Sequence, residues 1–460
     1  MKILHYLLGL PPVREGGLVN YVLDLARGEI LLGHEVGLLV PDKIHLNDDN
    51  ANKIVRKDWN GIPCYRIQNP PPVLIGKGID DISYLYAEGD QEVYTEYLKD
   101  DTPDIIHVHS LMGLHLSFLK AAKDMHIPIV FTTHDYYGLC IKASLLKGDV
   151  LCGEADWKNC YTCQQRKTSI RRIALEQSTI YRTAKKNPLY RWLEKSPTSM
   201  PLKRGIESIR RSFIRRDTKK QSENTVGTNN IQEMERLRTY YYDMFGYITC
   251  YHFNSTKARS VFEQYLGSLS GRVINISNAS VADHRARREF EGRLRIGYIG
   301  YGTPQKGFFL LNKALDELYQ NGIQNFECHI YFDPKQELRP YLKCYAPYSK
   351  EKAGFVYRNM DILVLPSVWN ETFGMVVLEA LSYGVPVIIS DRVGAYDILK
   401  ENLQMGIVVE PNSDSLKTAI YDLIVNRQKL YDMNKAICEW NYNFSFQKHV
   451  EDMIEFYREA

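Results

Sequence analysis

Short apolar runs alternate with segments whose apolar residues recur at helical spacing along the first half of the chain. Such runs predict buried strands, and the amphipathic segments between them predict helices. The predicted strands lie at residues 3–8, 35–40, 105–109 and 129–133, and the predicted helices lie at 18–31 and 111–125. This alternation predicts a parallel sheet with helices on both faces.

The second half of the chain repeats the alternation. Its predicted strands lie at 294–299, 328–332, 362–365, 387–389 and 407–409, and its predicted helices lie at 308–319, 375–383 and 415–425. We therefore expect an α/β protein with two doubly wound, Rossmann-like domains that face each other across a ligand-binding cleft.

The pattern divides the chain into a first domain at residues 1–275, a second domain at 276–440 and a C-terminal helix at 441–460. Residues 164–232 break the pattern, because they contain few strand-like runs and many basic residues. We interpret them as a helical insert in the first domain.

Composition excludes several classes of protein. The chain has 460 residues, and 44% of them are hydrophobic, which excludes a disordered chain. Because no apolar stretch is long enough to span a membrane and the start does not read as a signal peptide, we expect a cytoplasmic protein. The small net charge of +3 argues against nucleic acid as a partner.

The charge is concentrated in one part of the chain. Residues 166–220 contain 17 Lys and Arg but four Asp and Glu. The basic residues recur in pairs between apolar and aromatic residues, which suits a helix lying on an anionic membrane surface. We therefore predict peripheral binding to the inner face of a membrane. A solvated basic face and a surface for a phosphorylated or acidic partner are the alternatives.

Glycines and histidines follow the predicted strands of the first domain, at the edge where open α/β sheets bind ligands. Gly16 and Gly17 separate the first strand from the first helix, where a backbone can approach a phosphate closely. His109 ends one strand, and His134 and Asp135 follow another. Two histidines at one sheet edge favour a functional site over a purely structural role.

The first strand of the second domain leads into a glycine loop with Gly300, Gly302 and Lys306. A lysine at a helix start adds a full charge to the positive end of the helix. This outlines a phosphate site, but not a Walker loop, because the lysine lacks the required spacing and a following Ser or Thr. A solvated turn lysine is the alternative.

The strongest signal is the pair Glu371 and Glu379, which flank Phe373 and Gly374. Glu379 falls in a predicted helix that is apolar on nearly every side, where a carboxylate is costly unless it accepts hydrogen bonds. The hydroxyls of a sugar would donate them. A salt bridge to a buried Arg or Lys is the structural alternative.

With these residues the chain resembles the retaining glycosyltransferases of family 4, which have the two-domain GT-B fold. Glu371 and Glu379 match the E-x7-E signature of that family, and the resemblance covers nearly the whole chain. The other matching pieces lie at residues 16–17, 104–109, 133–135, 254–255, 276–278, 300–307 and 444–446. The last of these resembles the segment that crosses back onto the first domain.

The resemblance implies a donor site in the second domain. Lys306 would neutralise the diphosphate of a nucleotide-sugar donor. Glu371, with the backbone near Phe373 and Gly374, would hold the donor sugar. Glu379 would bind the ribose hydroxyls.

The resemblance also implies roles in the first domain. His134 would lie at the reacting sugar, and Gly16 and Gly17 would close over the phosphates. His109 and Asp135 would lie on the acceptor side.

The chain departs from the family pattern in two loops. Gly300 and Gly302 are the donor-binding glycines that the resemblance implies, but Tyr301 stands between them where many members have Arg. Residues 394–397 replace the usual Gly-Gly and the Glu after it with Gly394-Ala395 and Asp397.

The resemblance and the absence of any Asp-x-Asp motif imply chemistry without a catalytic metal. Lys306 and helix N-termini would then stabilise the leaving diphosphate. A structural metal is predicted elsewhere, because four cysteines cluster after His134 and two of them have the C-x2-C spacing of zinc sites. These are Cys140, Cys152, Cys160 and Cys163. Reduced, partly buried thiols are the alternative.

The expected activity is transfer of a sugar, with retention, from a nucleotide diphosphate sugar to a hydroxyl of a glycan or lipid-linked glycan. UDP is the favoured nucleotide, and surface polysaccharide synthesis is the expected setting. The alternatives are a sugar-nucleotide epimerase of the same fold and a catalytically silent GT-B module that binds glycan or nucleotide.

Overall fold

Two largely parallel β-sheets form the centres of the two halves of the protein in the computed structural model. The structure describes residues 1–45, 52–74, 76, 78–153, 160–161, 163, 167–178, 228–332, 339–348 and 350–460. Most of the predicted basic insert at 164–232 therefore lies outside the described residues. We call the half built on the first sheet the N-lobe and the half built on the second sheet the C-lobe.

The N-lobe contains an eight-stranded sheet and two short strand pairs. Its strands are β1 (Lys2–Tyr6), β2 (Glu35–Pro41), β3 (Lys53–Arg56), β4 (Cys64–Gln68), β5 (Gly78–Ile79), β6 (Ile105–Val108), β7 (Ile129–Thr132), β8 (Leu146–Lys147), β9 (Val150–Leu151), β10 (Lys167–Thr168), β11 (Cys250–Phe253) and β12 (Gly271–Val273). The large sheet has the order β12-β11-β7-β6-β1-β2-β4-β3, in which β3 pairs antiparallel with β4 and the other pairs are parallel. Strand β5 pairs with β10, and β8 pairs with β9.

The C-lobe contains a six-stranded parallel sheet. Its strands are β13 (Leu294–Tyr298), β14 (Phe326–Ile330), β15 (Leu342–Cys344), β16 (Ile362–Leu365), β17 (Val387–Ser390) and β18 (Gly406–Val409). They follow the order β15-β14-β13-β16-β17-β18.

In both sheets the strand order reverses beside the first strand of the lobe. Ile3 of β1 lies opposite Val36 of β2 on one side and Ile105 of β6 on the other. Ile296 of β13 lies between Cys328 of β14 and a residue of β16 in the same way. Open α/β sheets bind ligands at such reversal points, outside the carboxyl ends of the strands.

Helices cover both sheets. They are α1 (Gly17–Leu31), α2 (Gln91–Asp100), α3 (Leu116–Asp124), α4 (Ile170–Gln177), α5 (Thr228–Gly246), α6 (Thr256–Leu266), α7 (Phe308–Gln320), α8 (Ala353–Arg358), α9 (Met375–Ser382), α10 (Tyr396–Leu399), α11 (Ser413–Val425), α12 (Gln428–Glu439) and α13 (Phe446–Glu459). Short 3-10 turns lie at Ile82–Tyr86, Pro304–Lys306, Lys350–Lys352 and Leu403–Met405. Among the helices of the described ranges, none combines the length and the apolar composition needed to cross a membrane.

The last helix, α13, packs on α1 of the N-lobe. The two helices approach closely at Gly28, where an added Cβ would lie 2.5 Å from Val450 Cγ2. Tyr21 OH lies 3.0 Å from His449 Nε2, and Tyr457 OH lies 3.1 Å from Glu29 Oε1. The chain therefore returns to the N-lobe after it has completed the C-lobe.

The predicted fold class, two doubly wound α/β domains, is confirmed. Several predicted boundaries were wrong by two residues or more: β1 ends at Tyr6 rather than at 8, and α11 begins at Ser413 rather than at 415. The helix expected at 111–125 begins at Leu116, because Gly113 has a left-handed φ of 82° and interrupts any helix there. Strand β14 begins at Phe326 rather than at 328. The edge strands β3, β12 and β15 were not predicted, since short half-exposed strands lack a continuous apolar run.

Candidate active site

Two loops meet at the reversal point of the C-lobe sheet. We call residues 300–307, which follow β13, the phosphate loop, and residues 366–374, which follow β16, the acidic loop. Gly307 has a φ of 69°, and a Cβ there would lie 1.9 Å from the backbone oxygen of Pro366. Val368 N donates to Gln305 O at 2.9 Å. A glycine is therefore needed at position 307 for the loops to touch.

The phosphate loop is held from below by Tyr298, whose hydroxyl donates to Tyr301 O at 2.9 Å. An added Cβ at Gly302 would lie 2.6 Å from the ring of Phe332, so this position also requires a small residue. Tyr301, which stands where the family often has Arg, is 74% exposed. It does not contribute a cation to the loop.

Lys306 and Glu371 form an ion pair between the two loops. The other carboxylate oxygen of Glu371 accepts a hydrogen bond from Ser367 Oγ at 2.5 Å. Lys306 Nζ lies 5.6 Å from the ring centre of Trp369, within the range of a cation–π contact. The Lys306 side chain is 25% exposed and that of Glu371 is 9% exposed, so the cation faces the cleft and the carboxylate is nearly enclosed.

The acidic loop is fixed by the segment that follows β17. Glu371 N donates to Arg392 O at 2.9 Å, and Gly394 N donates to Glu371 O at 2.9 Å. Ala395 N donates to Phe373 O at 2.6 Å. These backbone hydrogen bonds hold the loop on both sides of Thr372, which limits the freedom of the Glu371 side chain.

Helix α9 begins at Met375, directly after Gly374, which has a φ of 96°. The helix carries Glu379 in its second turn. Glu379 Oε2 accepts from Tyr357 OH at 2.5 Å, and Glu379 Oε1 accepts from Asn278 Nδ2 at 3.3 Å. Burial and the neighbouring Glu379 carboxylate raise the pKa of Tyr357, which keeps its hydroxyl a donor. The carboxylate is thus anchored by neutral donors.

The acidic loop also joins the two lobes. Thr372 Oγ1 donates to His134 O at 3.1 Å, and Ser255 Oγ donates to Thr372 O at 2.5 Å. Asp397, which stands where the family has Glu, accepts from Thr256 N at 2.5 Å. Glu371 and His134, predicted from separate halves of the sequence, therefore lie on segments that contact one another.

His134 is the partly exposed end of a buried histidine cluster. Its Nε2 lies 3.2 Å from His109 Nδ1, and its ring is 4.9 Å from that of Tyr21. Burial, with the nearby His252 and His449, lowers the pKa of His134 to about 3. The ring is therefore neutral at physiological pH.

The acceptor-side contact predicted for His109 does not fit its burial, and the acceptor-side role of Asp135 stays a prediction. His109 has no exposed surface, so it contacts His5 and His134 instead of an acceptor. Asp135 accepts from Tyr137 N at 2.9 Å and from Ser110 Oγ at 3.2 Å, which makes it a turn-capping residue. Burial raises its pKa to about 6.

Gly16 and Gly17 form the start of α1, and a Cβ on either would meet no atom within 4 Å. The loop before them, with the ends of β2 and β4, lines a cavity of about 530 Å³ in the N-lobe. Arg14, Lys43, Lys57 and Arg66 contribute cationic side chains to it, and Asp42 and Glu176 contribute anionic ones.

The four clustered cysteines lie near one another but do not form a closed set of ligands. All nine cysteines are among the described residues, and none forms a disulfide. Burial, with Cys140 and Cys163 nearby, raises the pKa of Cys152, and Lys142 Nζ donates to Cys163 Sγ at 3.3 Å. In the described part of the chain, the group of three ligand atoms within 4.8 Å of one another is His5, His107 and His109. The zinc site stays a prediction.

Sequence reasoning missed the residues that hold the predicted ones. No role was predicted for Ser367, Trp369, Tyr357 or His5, nor for Asn278, which lies in the matching piece at 276–278. Contacts in the folded protein identify these residues, and no sequence pattern does so. Ser367 and Trp369 are the exceptions, because they lie in the same loop as Glu371 and could have been predicted from that position.

Comparisons with known proteins agree with this architecture. Residues 15–185 match the family described as Glycosyltransferase Family 4, and residues 281–440 match the family described as Glycosyl transferases group 1. An uncharacterized glycosyltransferase of Methanocaldococcus jannaschii is 28% identical over 35% of this chain and 44% of its own length. A D-inositol 3-phosphate glycosyltransferase of Rhodococcus erythropolis is 30% identical over 25% of this chain and 26% of its own length. The chain thus spans less than half the length of these curated relatives.

Solved structures match over the whole chain at low identity. Sucrose-phosphate synthase from Thermosynechococcus elongatus has a TM-score of 0.56 and 14% identity, and covers 100% of this chain and 98% of its own. Anabaena HepE in complex with UDP and glucose has a TM-score of 0.56 and 14% identity, and covers 100% of both chains. The fold is therefore GT-B, with glycosyltransferase family matches in both lobes.

Proposed function

We propose that this chain, which has the GT-B fold and glycosyltransferase family matches in both lobes, is a retaining glycosyltransferase of family 4. It transfers a sugar from a nucleotide diphosphate donor to a hydroxyl of a glycan or lipid-linked glycan, and UDP is the favoured nucleotide. Surface polysaccharide synthesis is the setting we propose for it.

The meeting of Lys306 and Glu371 at the reversal point of the C-lobe sheet carries the proposal. A cation at the end of a glycine loop suits a diphosphate, and a carboxylate next to it suits the hydroxyls of the attached sugar. The leaving diphosphate would gain its stabilisation from Lys306 and from the N-terminal end of α7, without a catalytic metal.

Glu379 supports the nucleoside end of the same site. Tyr357 and Asn278 fix its carboxylate. An anchored carboxylate accepts hydrogen bonds from a ribose diol at little cost in conformational freedom. UDP is favoured because several structural neighbours, among them Anabaena HepE, were solved in complex with UDP.

The N-lobe cavity supports the acceptor assignment. It lies outside the carboxyl ends of β1 and β2, in the lobe that diverges among such enzymes. Its cationic lining suits an acceptor that carries a phosphate, such as a lipid-linked glycan. The relatives described as D-inositol 3-phosphate glycosyltransferases have an acceptor of that chemical kind in their name.

Two further proposals concern the N-lobe. Cys140, Cys152, Cys160 and Cys163 would bind a structural zinc ion, and elemental analysis of protein purified without a metal-affinity tag would find about one zinc per chain. Four freely alkylated thiols without metal would contradict it.

The basic insert would bind an anionic membrane surface. Co-sedimentation with liposomes would then rise with anionic lipid and fall with salt. Equal binding to neutral and anionic liposomes would contradict this placement.

A thermal-shift panel of UDP, GDP, ADP and UDP-glucose, each with EDTA, tests the donor. A ligand at 100 times its Kd adds about 2.7 kcal/mol to the free energy of unfolding. We expect UDP and UDP-glucose to stabilise the protein. Nucleotide release that requires an added acceptor supports a transferase. An isomerised sugar nucleotide without acceptor would identify an epimerase, and binding without turnover would identify a silent module.

A further inference from the structure

A continuous series of buried hydrogen bonds, which we call the relay, begins at His134. His134 Nε2 lies 3.2 Å from His109 Nδ1, and His109 Nε2 lies 3.1 Å from His5 Nδ1. His5 Nε2 lies 2.6 Å from Glu29 Oε2. Three imidazoles therefore connect the cleft to one carboxyl group inside the N-lobe.

The relay continues from the other oxygen of Glu29. Tyr457 OH lies 3.1 Å from Glu29 Oε1 and 2.7 Å from His107 Nδ1. His107 Nε2 lies 2.6 Å from Thr132 Oγ1, which lies 2.8 Å from His252 Nδ1. The last link joins His252 Nε2 to a backbone carbonyl, Ile274 O, at 2.8 Å.

Every interior member of the relay is buried. His5, Glu29, His107, His109, Thr132 and His252 have no exposed surface. A buried pair without a proton between its atoms is costly, so each link needs one hydrogen. His134 is the member with an exposed part, at the edge where Thr372 of the other lobe contacts its backbone.

The carbonyl of Ile274 sets the direction of the hydrogen bonds in the second half of the relay. A carbonyl accepts only, so His252 must carry its proton on Nε2 and accept from Thr132 through Nδ1. Thr132 in turn accepts from His107 Nε2, and His107 Nδ1 accepts from Tyr457 OH. Burial lowers the pKa of His252 to about 4 and that of His107 well below its ordinary value, which agrees with neutral rings.

The proton count then points to Glu29. The eight links need eight protons, while five neutral imidazoles, one phenol and one threonine hydroxyl supply seven. A proton on Glu29 Oε1 supplies the last one, because it donates to the Tyr457 oxygen while Oε2 accepts from His5. All eight links then run in one direction, from His134 to Ile274.

We propose that the relay fixes His134 in the Nε2–H tautomer and leaves its Nδ1 lone pair to accept a hydrogen bond from a sugar hydroxyl in the cleft. Glu29, His5 and His109 act as positioning residues for His134. The inference rests on the proposed function for the identity of the sugar, but the tautomer itself does not depend on it.

The same nitrogens do not offer a ready metal site. Ligand atoms of His5, His107 and His109 lie within 4.8 Å of one another. However, both nitrogens of each ring already form hydrogen bonds of the relay. A metal ion would have to break those links.

Imidazole ¹⁵N NMR of the full chain, labelled at its twelve histidines, tests the tautomer without any substrate. Assignment by single His→Gln variants would identify the signals. We expect His134, His109 and His5 as neutral Nε2–H tautomers at neutral pH. His134 as the Nδ1–H tautomer or as an imidazolium would overturn the proposal.

Variants of Glu29 test the positioning role. Glu29→Leu, in protein whose fold is verified by thermal unfolding, should give a mixture of His134 tautomers. Glu29→Gln should restore the Nε2–H tautomer, because its amide donates to Tyr457 and its oxygen accepts from His5. Glu35→Gln on the exposed start of β2 is the control. An unchanged His134 signal in Glu29→Leu would refute the relay, and if that variant does not fold, loss of the tautomer in Glu29→Gln would refute it.

The two proposals fail separately. Nε2–H tautomers in a protein that binds no sugar nucleotide would contradict the proposed function alone. Donor binding together with a His134 imidazolium would contradict the relay alone.

Discussion

Lys306 and Glu371 form an ion pair at the point where the two C-lobe loops meet. They are also the residues that we assign to the diphosphate and to the sugar of the donor. Glu371 therefore competes with the diphosphate for the ammonium group of Lys306, while Ser367 holds the carboxylate through its other oxygen. Donor binding exchanges one anion for another at Lys306.

Glu371→Gln should tighten the binding of UDP, which has no sugar to lose, by about 3- to 10-fold. The substitution removes the competing charge, and a tenfold change in Kd corresponds to about 1.4 kcal/mol. Calorimetric titration of UDP measures it. Glu317→Gln, which removes the partner of Lys417 elsewhere in the C-lobe, should leave the Kd unchanged. Weaker UDP binding in Glu371→Gln would contradict the competition.

Tyr357→Phe should raise the KM for the donor by about 10-fold with a smaller change in kcat. The lost hydroxyl leaves Glu379 Oε2 without its 2.5 Å donor, and a hydrogen bond to a charged group contributes about 1.5–3 kcal/mol. Tyr341→Phe removes a comparable bond to Asp316 and serves as the control. A kcat effect without a KM effect would argue against the ribose assignment of Glu379.

Gly307→Ala should destabilise the C-lobe by about 2–4 kcal/mol and weaken nucleotide binding. The backbone there has a left-handed φ, and the new Cβ would lie 1.9 Å from Pro366 O. Gly322→Ala shares the positive φ but meets no atom within 4 Å, so it should cost about 1 kcal/mol. Urea unfolding compares the two variants. Equal losses would show that the loops are not held together at Gly307.

The protein should lose stability as the pH falls below about 6.5. Burial lowers the pKa of His134 and His449 to about 3 and that of His252 to about 4, so these rings stay neutral when folded. Their stabilisation is present above the ordinary pKa of 6.5 and is lost as the pH falls toward the folded values, by about 1.4 kcal/mol per pH unit for each histidine.

Urea unfolding at pH 7, 6 and 5 measures this slope. His115 is buried with a pKa lowered to about 3 and lies outside the relay, so His115→Gln should flatten the slope by one proton. The exposed His45→Gln should not. Stability that is independent of pH across this range would contradict the buried neutral cluster.

The sequence predicted the positions of the donor residues because parallel strands end at a common edge. Lys306 follows β13 and Glu371 follows β16, so periodicity alone brought them near one another. It did not predict their ion pair, since that depends on the contact between Gly307 and Pro366.

The histidine relay could not be predicted from the sequence either, because it also depends on contacts between distant segments. Glu29 was one acidic residue in an amphipathic helix, and its partners His5 and Tyr457 come from opposite ends of the chain. His109 was placed on the acceptor side because the family resemblance implied that position. Here His5, His134 and the ring of Tyr21 from α1 surround His109, which has no exposed surface.

Nucleotide release from UDP-sugars by Lys306→Ala, measured with an added acceptor and EDTA present, tests the donor site most directly. We expect a rate about 10²–10³ times lower than that of the parent chain, because the charge that stabilises the leaving diphosphate is lost. Lys313→Ala, on the exposed face of α7, should keep the parent rate. A Lys306→Ala variant that folds and releases nucleotide at the parent rate would contradict the assignment of this site.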